Sequence, residues 1–253
     1  MTRVFITGAS GGIGAALAVL YAQRGAQLGL VGRRHDALLA LKNSLPGDGH
    51  RVYALDVRDR GALHAAARDF LAQGRVDVVI ASAGISAGTL TEEPDDYAVF
   101  EAIIATNLNA TAATFEPFIA SMKQQGAGRL VGIASVAALR GLPGAGAYSA
   151  SKAAVRMYCE SLRVELGLTG VKVVTLAPGF IQTPMTARNP YKMPFLMPAE
   201  RFAALAARAI DRGVSYKVIP WQMACVAKLL QVVPDWLYDH FAARRKRKPR
   251  MGA

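Results

Sequence analysis

Three side chains that could handle a proton are close together in the sequence. Tyr148 and Lys152 are four residues apart on a predicted helix, and Ser135 comes thirteen residues before Tyr148, just after an apolar strand. A spacing of four puts two side chains on one face of a helix. An ammonium beside a phenol favours the phenolate and lowers the phenol pKa from its usual value of about 10. The three residues predict proton transfer at a carbonyl oxygen, with the Ser135 hydroxyl as a second donor. The alternative is a plain Tyr–Lys contact on a surface helix.

A glycine-rich turn near the start of the chain favours the chemical interpretation. Residues 3–7 form an apolar, β-branched run that ends in Thr7, and Gly8, Gly12 and Gly14 follow before a helical pattern. Glycines let the backbone turn tightly and approach a pyrophosphate, whose charge then lies at the helix N-terminus. A glycine turn is often only structural, but a strand before it and a helix after it indicate dinucleotide binding.

The Thr-Gly-x-x-x-Gly-x-Gly turn and the Ser, Tyr and Lys positions together resemble the short-chain dehydrogenase/reductase family in its single-domain form. The resemblance covers residues 1 to about 220. It implies hydride transfer between the nicotinamide and a substrate carbon, with Tyr148 handling the proton of the oxygen. It also implies that Lys152 lowers the Tyr148 pKa and holds the nicotinamide ribose, and that Ser135 polarises the carbonyl. Asn107 matches the fourth catalytic residue of the family, which holds a water between the lysine and solvent.

The resemblance also implies a set of cofactor-binding residues. Asp56 matches the acid that holds the adenine amino group, and Pro178 and Gly179 match the turn beside the nicotinamide. One segment departs from the family, because residues 81–84 read Ala-Ser-Ala-Gly where Asn-Asn-Ala-Gly is usual; the missing amides would affect strand stability more than catalysis. The full cofactor-binding set is Thr7, Gly8, Ser10, Gly12, Ile13, Gly14, Arg33, Arg34, Asp56, Val57, Ala83, Gly84, Tyr148, Lys152, Pro178, Gly179, Ile181 and Thr183.

The end of the second predicted strand indicates which cofactor is used. An NAD enzyme carries Asp or Glu there to accept a hydrogen bond from the ribose 2′-hydroxyl. This chain has Arg33 and Arg34 instead. Guanidinium groups pair with phosphate through charge-assisted bonds, so the sequence predicts NADP(H). The alternative is that the two arginines merely begin a solvated helix.

Composition and pattern predict an α/β fold. The chain has 253 residues and 52% hydrophobic content, enough for a sizeable core in one domain. Apolar strand patterns alternate with helical ones, which predicts a Rossmann-type, doubly wound parallel sheet of about seven strands with helices on both faces. We expect one cofactor-binding and catalytic domain over 1–220 and a C-terminal segment over 221–253. The predicted strands are 3–7, 27–31, 51–55, 76–81, 129–134, 171–177 and 214–219.

Neither a metal site nor a disulfide framework is predicted. Cys159 and Cys225 are too few for a framework, so a reducing cytosol is expected, and Cys159 is interpreted as a core residue. Strand residues begin at position 3, which leaves no room for a signal peptide. We expect a cytoplasmic protein, with peripheral contact at the inner face of a membrane as a further hypothesis. The histidines are scattered without ligand spacing, at His35, His50, His64 and His240.

The C-terminal segment combines apolar and basic residues. A broken apolar stretch over 220–241 contains Trp221 and Trp236 and is too short to span a bilayer. Residues 244–250 supply six of the formal net charge of +12. The segment could complete the core or a subunit contact, as C-terminal extensions in this family often do, or lie on a membrane surface, or end in a solvated tail. No motif supports nucleic-acid binding.

The substrate is less well defined by the sequence. The segment that closes over the substrate in this family is apolar here, which predicts either an adaptable apolar wall or a lid that packs on the protein. A hydrophobic or lipid-like ketone is favoured over a sugar. The apolar residues of this segment are Met185, Met193, Phe195, Leu196 and Met197.

Three functions remain open at this stage. The first is an NADPH-dependent reductase of a ketone or aldehyde, or the reverse oxidation of the alcohol, by a homodimer or homotetramer. The second is a reductase of 3-oxoacyl chains on an acidic carrier protein, which a basic surface could dock. The third is a non-catalytic NADP-binding scaffold, which the intact set of Asn107, Ser135, Tyr148 and Lys152 disfavours.

Overall fold

A seven-stranded parallel sheet forms the centre of the computed structural model, which describes residues 1–187, 189–244 and 247–250. The strand order is β3-β2-β1-β4-β5-β6-β9, and every neighbouring pair is parallel. The predicted fold class is confirmed, and the seven predicted strands are present with ends shifted by up to two residues. The strands are β1 (Arg3–Thr7), β2 (Gln27–Gly32), β3 (Arg51–Ala54), β4 (Val78–Ala81), β5 (Gly128–Ile133), β6 (Val171–Pro178), β7 (Ile181–Gln182), β8 (Met197–Pro198) and β9 (Tyr216–Ile219).

Helices cover both faces of the sheet. Helices α1, α2 and α7 contribute to one apolar layer, and α3, α5 and α6 to the other. A π-helical turn at Ala105–Asn109 joins α4 to α5, and a 3-10 turn at Val136–Ala138 follows β5. The helices are α1 (Gly12–Gln23), α2 (His35–Ser44), α3 (Arg60–Ala72), α4 (Asp96–Ile104), α5 (Ala110–Gln125), α6 (Gly146–Glu165), α7 (Ala199–Asp211), α8 (Trp221–Val232) and α9 (Asp235–Ala242).

Strand β1 shows why the sheet is buried on both sides. Its side chains alternate, so Val4 and Ile6 pack in the layer with α1 and α7, while Phe5 packs in the opposite layer. The Phe5 ring centroid is 5.7 Å from that of Phe70 on α3 and 5.0 Å from that of Phe118 on α5. An uninterrupted apolar run is therefore what this central strand needs, because neither face meets water.

The strand order creates a crevice at one edge of the sheet. The chain runs outward from β1 to β3 and then returns to the other side of β1 with β4, so the order reverses between β1 and β4. In doubly wound sheets, ligands bind outside the carboxyl ends of the strands at this reversal. The segments that follow the parallel strands all emerge at this edge, and they contain the predicted site residues.

Helices α8 and α9 fold back onto the body of the protein through Arg140. Its Nη1 donates to the carbonyl oxygens of Leu230 at 2.9 Å and Val233 at 3.0 Å, and its Nη2 donates to Asp235 at 2.8 Å. Its guanidinium carbon also lies 4.3 Å from the Tyr238 ring centroid. The inner face of α8 buries Met223 and Ala227, as the hypothesis of core packing predicts. In the part of the chain that the structure describes, no helix is long and apolar enough to cross a membrane.

Candidate active site

A cavity of about 770 Å³ opens at the carboxyl edge of the sheet. Its wall comes from the segments after β1, β2, β4, β5 and β6, from α6 and from the C-terminal residues 248–250. The structure brings most of the predicted site residues together there. Those that line it are Gly8, Ser10, Gly12, Ile13, Gly14, Arg33, Arg34, Gly84, Ser135, Tyr148, Lys152, Pro178, Gly179, Ile181 and Thr183.

The turn after β1 requires glycine at three positions. Gly8 and Gly12 have φ of 71° and 55°, which a residue with a Cβ adopts only under strain. A Cβ on Gly14 would overlap the carbonyl oxygen of Gly8, so the close packing of the turn against α1 requires glycine there. Helix α1 begins at Gly12 with no side-chain cap and no acid in its first turn. Its first N–H groups therefore remain donors for an anion such as a pyrophosphate.

The two arginines after β2 border the same end of the cavity. Arg34 Nη2 donates to the Ser10 carbonyl oxygen at 2.7 Å, so its guanidinium lies against the glycine turn. Arg33 also lines the wall and has an exposed side chain. Two positive groups thus follow the end of β2, and neither is in an ion pair among the described residues; the nearby Asp56 carboxylate, whose pKa Arg33 helps to lower, pairs with Arg58. This donor set fits a phosphate better than a ribose hydroxyl.

Helix α6 carries the tyrosine and the lysine on its sheet-facing side. The helix approaches β5 closely because Gly132 has no side chain; a Cβ there would overlap the Sγ of Cys159. Burial raises the pKa of the Cys159 thiol to about 12, as expected for an inert core residue. The close approach lets Lys152 Nζ reach the Ile133 carbonyl oxygen at 2.8 Å. The β5–α6 contact thus fixes where Lys152 lies relative to the end of β5, and with it Tyr148, which lies one helical turn earlier.

Ser135 follows β5 and faces Tyr148. Its backbone is extended, and its Oγ accepts a hydrogen bond from the Ala137 N–H at 3.1 Å. The hydroxyl also lies beside the Tyr148 phenol, and its effect is to lower the pKa of that phenol. Two O–H groups therefore converge on one point of the cavity wall, which suits the polarisation of a single carbonyl oxygen.

The pKa of Tyr148 differs from the sequence-based expectation. Burial raises it, and this effect exceeds the opposing effect of the hydrogen bond with Ser135. The predicted lowering by Lys152 is therefore corrected: the ammonium lies 5.9 Å from the Tyr148 ring centroid and donates to Ile133 instead. Burial also lowers the Lys152 pKa to about 8. At neutral pH the phenol is protonated, which is the form that can donate a proton.

Asn107 stands behind the cavity wall, within the π-helical turn. Its Oδ1 accepts from the Ile85 N–H at 2.8 Å, and its Nδ2 donates to the Ile85 carbonyl oxygen at 3.0 Å and to Ser151 Oγ at 2.9 Å. Extra turns of this kind recur at functional sites. A Cβ on Gly84 would lie 3.2 Å from Asn107 Oδ1 and 3.6 Å from Lys152 Nζ. Asn107 therefore fixes the chain after β4 beside Lys152, while its predicted water-holding role stays a prediction.

Comparisons with known proteins agree with this geometry. Residues 2–193 match the family model described as short chain dehydrogenase. An oxidoreductase from Myxococcus xanthus is 39% identical over 245 residues, which cover 96% of each chain. The chain belongs to the short-chain dehydrogenase family.

Solved structures of the same family superpose over most of the chain. Levodione reductase aligns with a TM-score of 0.79 and 27% identity, over 88% of this chain and 98% of its own. A 3-ketoacyl-(acyl-carrier-protein) reductase from Brucella melitensis, complexed with NADH, aligns with a TM-score of 0.76 and 25% identity, over 86% of this chain and 96% of its own.

Four further residues predicted from the short-chain dehydrogenase pattern do not line the cavity. Thr7 Oγ1 accepts from the Ala83 N–H at 3.4 Å, which ties the ends of β1 and β4 together. Asp56 pairs with Arg58 at 2.7 Å, and this partner holds the pKa of the Asp56 carboxyl below its usual value. Val57 is buried in the core. Their predicted cofactor contacts stay predictions.

The segment predicted to cover the substrate contributes little of its apolar surface to the wall. Met185 lines the cavity, but Met197 lies in β8 and is buried in the main core. Phe195 and Leu196 are partly exposed, and Met193 accepts a hydrogen bond from Asn189 Nδ2 at 3.5 Å. The segment thus divides between the two sequence hypotheses: Met197 packs on the protein, and Met185 faces the cavity.

Sequence reasoning missed several residues of the wall. Gly11 and Ser82 adjoin predicted positions and could have been found from that adjacency. Lys248 and Arg250 could not, because a basic run is most often a solvated tail. Of that run, Arg245 and Lys246 lie outside the described residues. The missed residues are Gly11, Ser82, Ile85, Ser86, Ala87, Ile133, Ala134, Pro184, Thr186, Lys248, Pro249 and Arg250.

The Asn107 contacts predict a large cost of truncation. Asn107→Ala leaves the N–H and C=O of Ile85 without a protein partner, and each unsatisfied buried group costs about 1–3 kcal/mol. The Ser151 hydroxyl loses one of its two hydrogen bonds and keeps the one to the Tyr148 carbonyl. We expect the free energy of unfolding to fall by at least about 2 kcal/mol, measured by urea denaturation. Asn109→Ala, an exposed residue of the same turn, is the control and should change it by less than about 0.5 kcal/mol. Equal effects of the two substitutions would contradict the positioning role.

Proposed function

We propose that this protein is an NADPH-dependent oxidoreductase that interconverts a ketone or aldehyde and the corresponding alcohol. The observation that carries the proposal is the meeting of Ser135, Tyr148 and Lys152 on the wall of a cavity that also contains the glycine turn. The family match supports the class of enzyme. The cofactor preference and the roles of the individual residues are part of the proposal.

The residues present would hold the cofactor along the crevice. The N–H groups at the start of α1 would bind the pyrophosphate. Gly8 and Gly14 let the turn that presents these groups pack against Ala83 and against its own backbone. Arg33 and Arg34 would bind a ribose phosphate at the other end. Lys152 would hold the nicotinamide ribose near Tyr148. The cofactor supplies the hydride, so the protein contributes position and electrostatics.

The protein residues would manage the oxygen of the substrate. Ser135 donates a hydrogen bond to the carbonyl oxygen, which stabilises the negative charge that develops there. Tyr148 then delivers its proton to that oxygen, since burial keeps the phenol protonated at neutral pH. Lys152 stabilises the resulting phenolate through its positive charge. For oxidation of the alcohol, the same groups act in the reverse order.

Two substrate classes remain within this proposal. A hydrophobic or lipid-like ketone is the first, supported by the apolar Met185 and Ile133 in the wall. A 3-oxoacyl chain on a carrier protein is the second. It is supported by the structural similarity to the 3-ketoacyl-(acyl-carrier-protein) reductase from Brucella melitensis. The formal net charge of +12 would also attract an acidic carrier protein.

The outer face of the C-terminal helices is part of the proposal as a subunit contact. Trp221, Leu229 and Val232 are 67%, 63% and 75% exposed on one side of α8, and Trp236 on α9 is 72% exposed. Contiguous exposed apolar surface marks an interaction site. Members of this family commonly form oligomers. A second copy of the chain is therefore the proposed partner, in a homodimer or homotetramer, and a membrane surface is the alternative that the test distinguishes.

The role of the phenol predicts a selective loss of turnover. Tyr148→Phe removes the proton donor but keeps the ring, so kcat for ketone reduction should fall by at least about a hundredfold. The NADPH Kd, measured by fluorescence titration, should change by less than about threefold. Tyr158→Phe, on the same helix and with its ring packed against Phe115, is the control and should retain activity. A Tyr148→Phe enzyme with more than about a tenth of wild-type kcat would exclude this role.

The arginines predict a preference for NADPH over NADH. Arg33→Ala removes a charge-assisted phosphate contact, and this should weaken NADPH binding by about ten- to a hundredfold and leave NADH binding almost unchanged. Arg24→Ala is the matched control, because Arg24 pairs with Asp211 away from the cavity. Fluorescence titrations of both cofactors at one fixed salt concentration make the comparison. A wild type that prefers NADH would refute the NADP assignment.

The proposed subunit contact predicts that charged substitutions in the exposed apolar face of α8 and α9 reduce the size of the oligomer. The double variant Leu229→Asp and Trp236→Asp places charges in the apolar face, so its molar mass by light scattering should fall below that of the wild-type oligomer. The control is Leu168→Asp, a substitution at a fully exposed position after α6, which should leave the mass unchanged. Flotation of both proteins with anionic vesicles tests the alternative. Vesicle binding by the wild type that the double variant loses, at unchanged mass, would favour a membrane contact.

A further inference from the structure

The C-terminal tail, residues 247–250, returns to the cavity and contacts its rim. The Gly88 N–H donates to the Pro249 carbonyl oxygen at 2.8 Å, and Gly88 forms an isolated parallel bridge with Arg250. A Cβ on Gly144, in the loop before α6, would lie 3.0 Å from the Arg247 Cβ. The tail therefore crosses between the loop after β4 and the loop before α6. The second loop leads into Tyr148, and the first contributes Ile85, Ser86 and Ala87 to the cavity wall.

Arg250 anchors the tail. Its Nε donates to Asp96 Oδ2 at 2.9 Å, and its Nη2 donates to Glu93 at 3.1 Å. The Asp96 side chain is buried, and it also accepts from the Leu90 N–H at 2.8 Å. A buried carboxylate without a cation is costly, so this pair holds the end of the tail in place. The positive charge of Arg250 is neutralised by these two carboxylates, so Arg250 does not serve as a partner for an anionic ligand.

Lys248 points into the cavity beside the catalytic tyrosine. Its Nζ donates to Ser86 Oγ at 2.7 Å and lies 5.9 Å from the Tyr148 ring centroid. Burial lowers its pKa from the ordinary value. An ammonium has three donors, and no carboxylate of the described residues pairs with this one. Lys248 is thus a partly buried cation whose single neutral partner leaves it donors for a ligand.

Lys248 differs from the other cationic residues of the cavity wall in the partners that it has. The described lining residues include five cationic side chains and no Asp or Glu. Arg33 and Arg34 lie at the end near the glycine turn, Lys152 donates to Ile133, and Arg250 is neutralised by its two acids. Of the two lysines near Tyr148, Lys152 is bound to a carbonyl oxygen, whereas Lys248 pairs with neither a carboxylate nor a carbonyl among the described residues. A cavity lined by one sign of charge concentrates ligands of the other sign.

We propose that Lys248 binds a carboxylate of the substrate, so that the preferred substrate is an oxo acid rather than a neutral ketone. Because Lys248 Nζ lies 5.9 Å from the Tyr148 ring centroid, a carboxylate bound there would belong to the same small molecule as the carbonyl that Tyr148 protonates. The inference rests on the proposed function and narrows its substrate class. The apolar residues of the wall then contact the remaining chain of the acid.

The test compares each oxo acid with its methyl ester, which keeps the shape but removes the charge. Initial rates with NADPH are measured for 2-oxo, 3-oxo and 4-oxo acids of increasing chain length and for their esters. In the wild type, kcat/KM for the best acid should exceed that of its ester by at least about tenfold. Lys248→Met should lower the value for the acid by about ten- to a hundredfold, mainly through KM, and leave the ester within about twofold.

A control variant and the ester separate charge recognition from other effects. Arg244→Met removes an equal charge from an exposed position of the same C-terminal region and should leave both substrates unchanged. The ester rate reports whether Lys248→Met is folded. An acid no better than its ester, or an equal change of both in Lys248→Met, would overturn the inference. If kcat/KM for both the acid and the ester rises in Lys248→Met, the tail blocks the site, and this result also overturns the inference. If the wild type binds NADPH but reduces no member of any pair, the proposed function fails, and this inference with it.

Discussion

The hydrogen bond from Lys152 to the Ile133 carbonyl oxygen ties the chemistry to the sheet. A buried ammonium has lost most of its water, so it must find acceptors in the protein. The carbonyl at the end of β5 is such an acceptor, at 2.8 Å. This contact requires α6 to lie close to β5, which Gly132 permits. It sets Tyr148 one turn before Lys152 and opposite Ser135, which follows the same strand. The relative positions of Ser135, Tyr148 and Lys152 therefore depend on the contact between the end of β5 and the facing side of α6.

Short-range patterns in the sequence predicted much of this arrangement. The strand runs, the glycine turn and the Tyr–Lys spacing are local signals, because each depends on residues within one or two turns or strands. Burial is not a local property, so the raised pKa of Tyr148 could not be obtained from its neighbour Lys152. Asp56 shows the same limit: its position matched a family residue, but its side chain pairs with Arg58 two residues further on.

The return of the tail is the clearest case of a long-range feature that the sequence hides. A run of basic residues has no periodicity that would indicate a partner, and a solvated tail is its commonest state. The partner of Arg250 is Asp96, 154 residues away. The unusual property of Asp96 is burial, which appears only in the folded chain. A buried acid and a distant basic residue can be paired only once the loops that contain them are placed in space.

Gly88 explains how the tail can approach so closely. A Cβ at this position would overlap the carbonyl oxygen of Lys248 and approach Pro249, so any other residue would push the tail away from the rim. Without that approach, the Gly88 N–H could not donate to the Pro249 carbonyl, and Lys248 would not reach Ser86. A single glycine thus couples the backbone of the β4–α4 loop to Lys248, whose Nζ lies 5.9 Å from the Tyr148 ring centroid. The C-terminal residues are thereby part of the cavity wall. Its cations come from three places in the fold: Arg33 and Arg34 follow β2, Lys152 lies on α6, and Lys248 and Arg250 lie on the tail.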